Sequence, residues 1–244
     1  MDAPPFSPHL LHFARSHRTE PPRHLGTRHD ANGVFLTEAG NTIVCHVRSG
    51  TPTEAALRAA RRRYLAMPEA NRFAFTAEDS LHMTLFQGVL GRNRRLPFWP
   101  EGVALDTPLE AMDELFLKRL DRLEPGAAFK VSLVEAAPSG LIVEGATAAD
   151  RHAMADWRNR LADLFGYRHP DHDHYVFHIT FTYPIAWLDD EVLPAWQDML
   201  TAVAEEIRQQ APVLDLRAPA FCRFRDMNRF EEIRVLEPPL PKAV

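Results

Sequence analysis

From about residue 40 onward the apolar positions of the chain switch between two periods, and the switches come in a regular order. "NTIVCHV" (Asn41 to Val47) is a β-branched run bounded by Gly40 and the turn-like "RSGTP", which predicts a strand. In "TPTEAALRAARRRYLAM" Leu57, Ala60 and Tyr64 recur at helical spacing. The helix start is marked by Thr51 as cap, Pro52 in the first turn and Glu54 three residues after the cap. "SLHMTLFQG" predicts a strand ended by Gly88. "TPLEAMDELFLKRLDRL" repeats the start signal with Thr107, Pro108 and Glu110, ahead of a stripe of Leu109, Met112, Leu115, Phe116 and Leu120. "AFKVSLVEAA" predicts another strand, and "APSG" (Ala137 to Gly140) a hairpin.

The cycle then restarts. "GLIVEGA" (Gly140 to Ala146) predicts a strand and "TAADRHAMADWRNRLADLF" a helix capped by Thr147 and Asp150. "YVFHITFTY" predicts a strand, and "DDEVLPAWQDMLTAVAEEIRQQ" a helix that tolerates Pro194 because it lies in the first turn. "VLDLRAPAFCRFRD" and "EEIRVLE" predict the last strands. This order predicts an α+β chain built of two β-α-β-α-β pseudo-repeats, about 41–136 and 140–236, as a bilobal fold with antiparallel sheets facing a central cleft. Residues 1–32, rich in Pro, His and Arg and without periodicity, read as an N-terminal arm or irregular packing segment. Residues 33–244 read as one domain. A parallel doubly wound sheet is disfavoured by the lack of a glycine-rich turn after a strand.

Charge and composition narrow the function. The 244 residues are 45% hydrophobic and 25% charged, with a formal net charge of -5. That balance argues against an extended nucleic-acid surface and leaves room for a local basic pocket. Cys45 and Cys222 sit in strand-like contexts and read as buried small residues, neither a disulfide framework nor a metal spacing. No apolar run approaches the roughly 20 residues of a membrane span, and the first residues lack a signal peptide's apolar core. The expectation is a cytoplasmic protein without membrane contact.

One pattern occurs twice. "LHMTL" (Leu81 to Leu85) and "FHITF" (Phe177 to Phe181) each spell apolar-His-apolar-Thr-apolar, at equivalent places in the two repeats. Side chains alternate faces along a strand, so three apolar residues anchor each strand while His82 with Thr84, and His178 with Thr180 and Thr182, project from the opposite face. Two facing lobes would bring two imidazoles and two hydroxyls together. One neutral imidazole can take a proton from an attacking hydroxyl while the other, protonated, donates to the leaving oxygen. Threonine hydroxyls can donate to non-bridging phosphate oxygens. No metal or other cofactor is called for, and a strained cyclic phosphodiester is a natural substrate.

The paired motifs "HMTL" and "HITF" on the strands of a duplicated α+β chain resemble those of the 2H phosphoesterase superfamily, which includes RNA cyclic phosphodiesterases and RNA ligase-like proteins. The resemblance spans about residues 40 to 236, and "RHDANGVFLTEAGNTIVCHV" looks like the opening of a less characterised branch. It implies His82 and His178 as the catalytic pair and Thr84 and Thr180 as phosphate-binding hydroxyls. Many superfamily enzymes open 2',3'-cyclic phosphates, so the expected substrate is a 2',3'-cyclic phosphate or related phosphodiester of a nucleotide or short RNA end. The resemblance to this branch itself supplies no substrate. The chain departs from the RNA ligase-like members in having Gln87 and Tyr183, and no arginine, soon after the motifs, which puts long RNA substrates in doubt.

Other features admit two readings each. The connection from Gly88 to Asp106 holds Arg92, Arg94 and Arg95 followed by Phe98 and Trp99, the ingredients of a flap that meets phosphate and stacks a base, or of a surface loop whose aromatics plug a packing gap. His46 can line the cleft or serve structure, and Arg223 can meet phosphate or keep an edge strand soluble. His169, His172, His174 and His178 are close in sequence, which suggests a metal-dependent hydrolase as a rival to the two-histidine reading. A second rival is a binding module that holds a nucleotide or phosphorylated metabolite without turnover.

Overall fold

The computed structural model describes residues 6–237. In chain order the elements are α1 (Pro8–Leu11), β1 (Gly40–His46), α2 (Pro52–Leu65), β2 (Phe73–Phe75), β3 (His82–Leu90), α3 (Leu109–Leu120), β4 (Val131–Ala137), β5 (Gly140–Gly145), α4 (Ala148–Phe165), β6 (Phe177–Thr180), β7 (Thr182–Pro184), α5 (Leu193–Gln210), β8 (Ala220–Phe224) and β9 (Phe230–Val235). The class is α+β. Seven strands form one antiparallel sheet in the order β4-β5-β6-β3-β1-β8-β9, and β2 pairs with β7 in a second, two-stranded sheet.

The strands expected to form two facing sheets therefore share one. Its centre is a narrow seam, where β3 meets β6 at the single pair Met83↔Ile179. On either side the pairing is longer, six positions for β1 with β3 and four for β5 with β6. The order reads symmetrically outward from this seam, β6-β5-β4 in one direction and β3-β1-β8 in the other.

Local chemistry explains most element ends. Thr51 accepts the N–H of Glu54 and caps α2, while the Glu54 carboxylate turns to the N–H of Gly50. Thr147 and Asp150 form a reciprocal capping box on α4. The expected cap at Thr107 does not form, because its hydroxyl donates to the carbonyl of Ala104 and α3 starts after Pro108. The hairpin joining β4 to β5 turns between Ala137 and Gly140. Gly140 is required there: its φ is +135°, and an added Cβ would lie 2.2 Å from the carbonyl oxygen of Ile179.

The helices cover one face of the sheet, where Ile43, Cys45, Met83, Leu85, Leu141 and Ile179 join the main hydrophobic core. The opposite face carries the cleft and, toward β9, a small cluster of Val44, Ala220 and Cys222 with Phe230 packed on it. Leu10, Phe13 and Ala14 are buried in the main core. Backbone hydrogen bonds between Arg15 and Leu188, and between Leu188 and Phe13, stitch this early segment to the approach to α5. Among the described residues no helix is long and apolar enough to cross a membrane.

Candidate active site

Strand β3 buries Met83 and Leu85, and β6 buries Ile179, all at 0% exposure. Alternation then turns His82 and Thr84, and His178 and Thr180, to the cleft face. The Met83↔Ile179 pair sets the antiparallel register. Continued one residue each way, it places His82 across from Thr180 and Thr84 across from His178, a crossed square of two imidazoles and two hydroxyls. All four residues line one cavity of about 170 Å³.

Both rings are locked in the same way. Nδ1 of His82 donates to the carbonyl of Ser80 at 2.5 Å, and Nδ1 of His178 to the carbonyl of Val176 at 3.0 Å. A carbonyl only accepts, so Nδ1 carries the hydrogen in each neutral ring and Nε2 is left with its lone pair. In both cases the acceptor lies two residues before the histidine, so the strand itself fixes the tautomer.

The surroundings of the two rings differ. His82 is half-buried, with the Phe230 ring centroid 4.1 Å and the His46 ring centroid 5.9 Å away. Burial pushes its pKa down to about 3, with the Ser80 hydrogen bond opposing and the neighbouring imidazoles adding to the effect. Burial also lowers the pKa of His178, and Arg28 adds to it. The accessible surface leaves His178 open to solvent, and water reaching that ring relieves part of the burial penalty.

Arg28 is the single arginine or lysine among the described residues lining the cavity. Its Nε donates to Glu38 at 2.6 Å, and its guanidinium lies 5.1 Å from the Tyr183 ring centroid. The Glu38 side chain has 0% exposure and also pairs with Arg92. A buried carboxylate between two arginines holds Arg28 at the cavity wall. The arginine absent after the His-x-Thr motifs thus comes from a segment with no periodic signal. On the other side Tyr175 lines the cavity, and the buried Arg158 stacks 4.1 Å from its ring while donating to the carbonyls of Leu85 and His172.

The remaining sequence candidates are placed elsewhere. Phe181 interrupts the strand, so Thr182 begins β7, is fully buried and donates its hydroxyl to the carbonyl of Pro138 at 2.7 Å. Trp99 is fully buried, with Nε1 donating to the carbonyl of Ala104, so it is no stacking platform. Arg223 is exposed and paired with Glu231 at 2.8 Å, outside the cavity. His46 stands behind His82 with Nδ1 3.0 Å from Glu232. His169 lines the cavity, but His172 is buried with its Nε2 against Asn159 and His174 is exposed. Among the described residues no group of three or more His, Cys, Asp or Glu is placed to hold a metal ion.

Comparison with known proteins places this geometry in context. Residues 28–142 match the family 2H-phosphodiest, described as a domain of unknown function (DUF1868). The fold is similar to the crystal structure of the conserved protein of unknown function ATU0111 from Agrobacterium tumefaciens strain C58. The TM-score is 0.93, with 47% sequence identity over 95% of this chain and 100% of that one. No curated protein matches the chain.

Proposed function

The chain belongs to the 2H phosphodiesterase family, and from that premise we propose that it hydrolyses a 2',3'-cyclic phosphate of a nucleotide or short RNA end. One observation carries the reading: two imidazoles of the same tautomer, crossed with two threonines, line a single cavity. Nε2 of His82 takes a proton from water as the water oxygen attacks phosphorus. The bond from phosphorus to one ring oxygen breaks, and protonated His178 gives its proton to that oxygen. Burial keeps His82 neutral, the protonation state a base starts from, and the more open His178 takes the acid role. Thr84, Thr180 and Arg28 bind the non-bridging oxygens, where charge collects.

In the test, a panel of 2',3'-cyclic nucleotides is followed by phosphorus NMR in the presence of chelator, beside the H82A/H178A double variant. The expected result is conversion to one monophosphate isomer by the wild type alone. Absence of conversion across the panel overturns the reaction, and affinity retained by the double variant with no turnover in either protein favours a binding module.

A further inference from the structure

A second cavity, of about 460 Å³, shares His178, Thr180 and Tyr183 with the first. Its floor continues the sheet face that carries His178. Ile142 on β5 pairs directly with His178, and Val176, just before β6, lines the same cavity. Its walls come from the early segment and the approach to α5: His12, Phe13, His24 and Trp187. Above the sheet edge, His9 meets Glu135, the partner of Ile142 on β4, at 3.1 Å. The cavity is therefore built from three parts of the sequence around one end of the crossed square.

We propose that this second cavity is the subsite for the nucleobase of the substrate, a planar uncharged ring carried next to the cyclic phosphate. The inference rests on the phosphodiesterase reading and adds what that reading leaves open, the group attached to the sugar. Val176 is 53% exposed at the mouth, an apolar surface that a planar ring would cover. Trp187 and Tyr183 line the cavity with aromatic rings, each with an arginine over one side, Arg18 at 5.2 Å and Arg28 at 5.1 Å from the ring centroids. His9, His12, His24 and Ser139 also line it, and a base edge supplies hydrogen-bonding groups for them that a lipid tail would not. In a nucleoside 2',3'-cyclic phosphate the base sits on the carbon beside the 2' position. A base seated beyond His178 is thus consistent with a phosphate held between the two histidines.

The experiment is a pair of titrations on the full chain, with a nucleoside 3'-monophosphate and with the same sugar phosphate lacking the base (1-O-methylribose 3-phosphate). Binding is read by calorimetry and by fluorescence. Trp99, Trp157 and Trp196 are fully buried, so a change on ligand binding reports Trp187. The nucleotide should bind at least about tenfold tighter than the base-free ligand and quench the fluorescence. W187A, read by calorimetry, should remove that advantage and leave the base-free affinity unchanged, while W187F should keep it. Equal affinities in the wild type, no binding of either ligand, or equal loss of both in W187A overturns the subsite. Turnover without base preference refutes the subsite alone, and base preference in binding without turnover refutes the reaction alone.

Discussion

The two His-x-Thr strands carry the same motif, in the same tautomer lock, on the same sheet face, yet one ring is enclosed and the other is open. Phe230 and His46 surround His82, whereas His178 faces solvent with Tyr175 at 6.2 Å between ring centroids. A repeated motif supplies two equivalent groups, and acid–base catalysis needs two inequivalent ones. The inequivalence comes from what packs around each ring. On the His82 side that includes Phe230 of β9, a strand with no counterpart beyond β4, the last strand on the other side of the seam.

The comparison breaks most sharply with single variants. H82A and H178A should each lower kcat/KM by about 10²–10⁴ in a phosphorus NMR or coupled assay. A diester with a low-pKa aryl leaving group should restore much of the rate to H178A and little to H82A; restoration of both alike would remove the assigned roles. Arg28→Met should raise KM about tenfold or more through loss of a charge-assisted contact, with Glu38→Gln moving in the same direction by less.

The pH profiles sharpen the same contrast. Both imidazoles have pKa values below 6.5 in the free protein. The kcat/KM profile, which reports the free protein, should therefore lose activity on its alkaline side below pH 6.5. An anionic substrate raises both pKa values, so the kcat profile should lie to the alkaline side of it. Stability follows the sign of the His82 shift. A ring held at about 3 when folded takes up protons more readily when unfolded, so its contribution is complete above pH 6.5 and is lost as pH falls toward 3. Urea titrations across that range should show the decline, and His82→Asn should flatten part of it. The smallest effect is expected at Arg223: its partner is Glu231 and it lies outside the cavity, so R223A should leave kcat/KM unchanged.

What was legible in the sequence was what is local. The crossed square follows from a period of two read over five residues, and the α2 and α4 starts from caps within four residues of each helix. Trp99 was open to two readings because a Trp beside a Pro and three arginines looks the same whether it stacks a ligand or fills the core. Its burial is decided by tertiary packing. Arg28 gave no signal, because its position is set by Glu38 and Arg92, a carboxylate 10 residues on and an arginine 54 residues beyond that. Thr182 misled for a simpler reason: alternation carries through a strand only while the strand continues, and Phe181 ends it.

The nested strand order has a consequence for the order in which the site comes into being during synthesis. β4, β5 and β6 lie within residues 131–180, so the His178 side can pair as soon as that stretch has left the ribosome. On the His82 side β1 and β3 can pair earlier still, within residues 40–90, but that side stays unfinished: the other edge of β1 waits for β8, about 180 positions later, and the ring waits for Phe230. Contacts of such separation form late. A nascent chain would thus carry one finished half of its catalytic apparatus while the other stayed open, and the imidazole assigned here as the base would be enclosed only after almost the whole described sequence had been made.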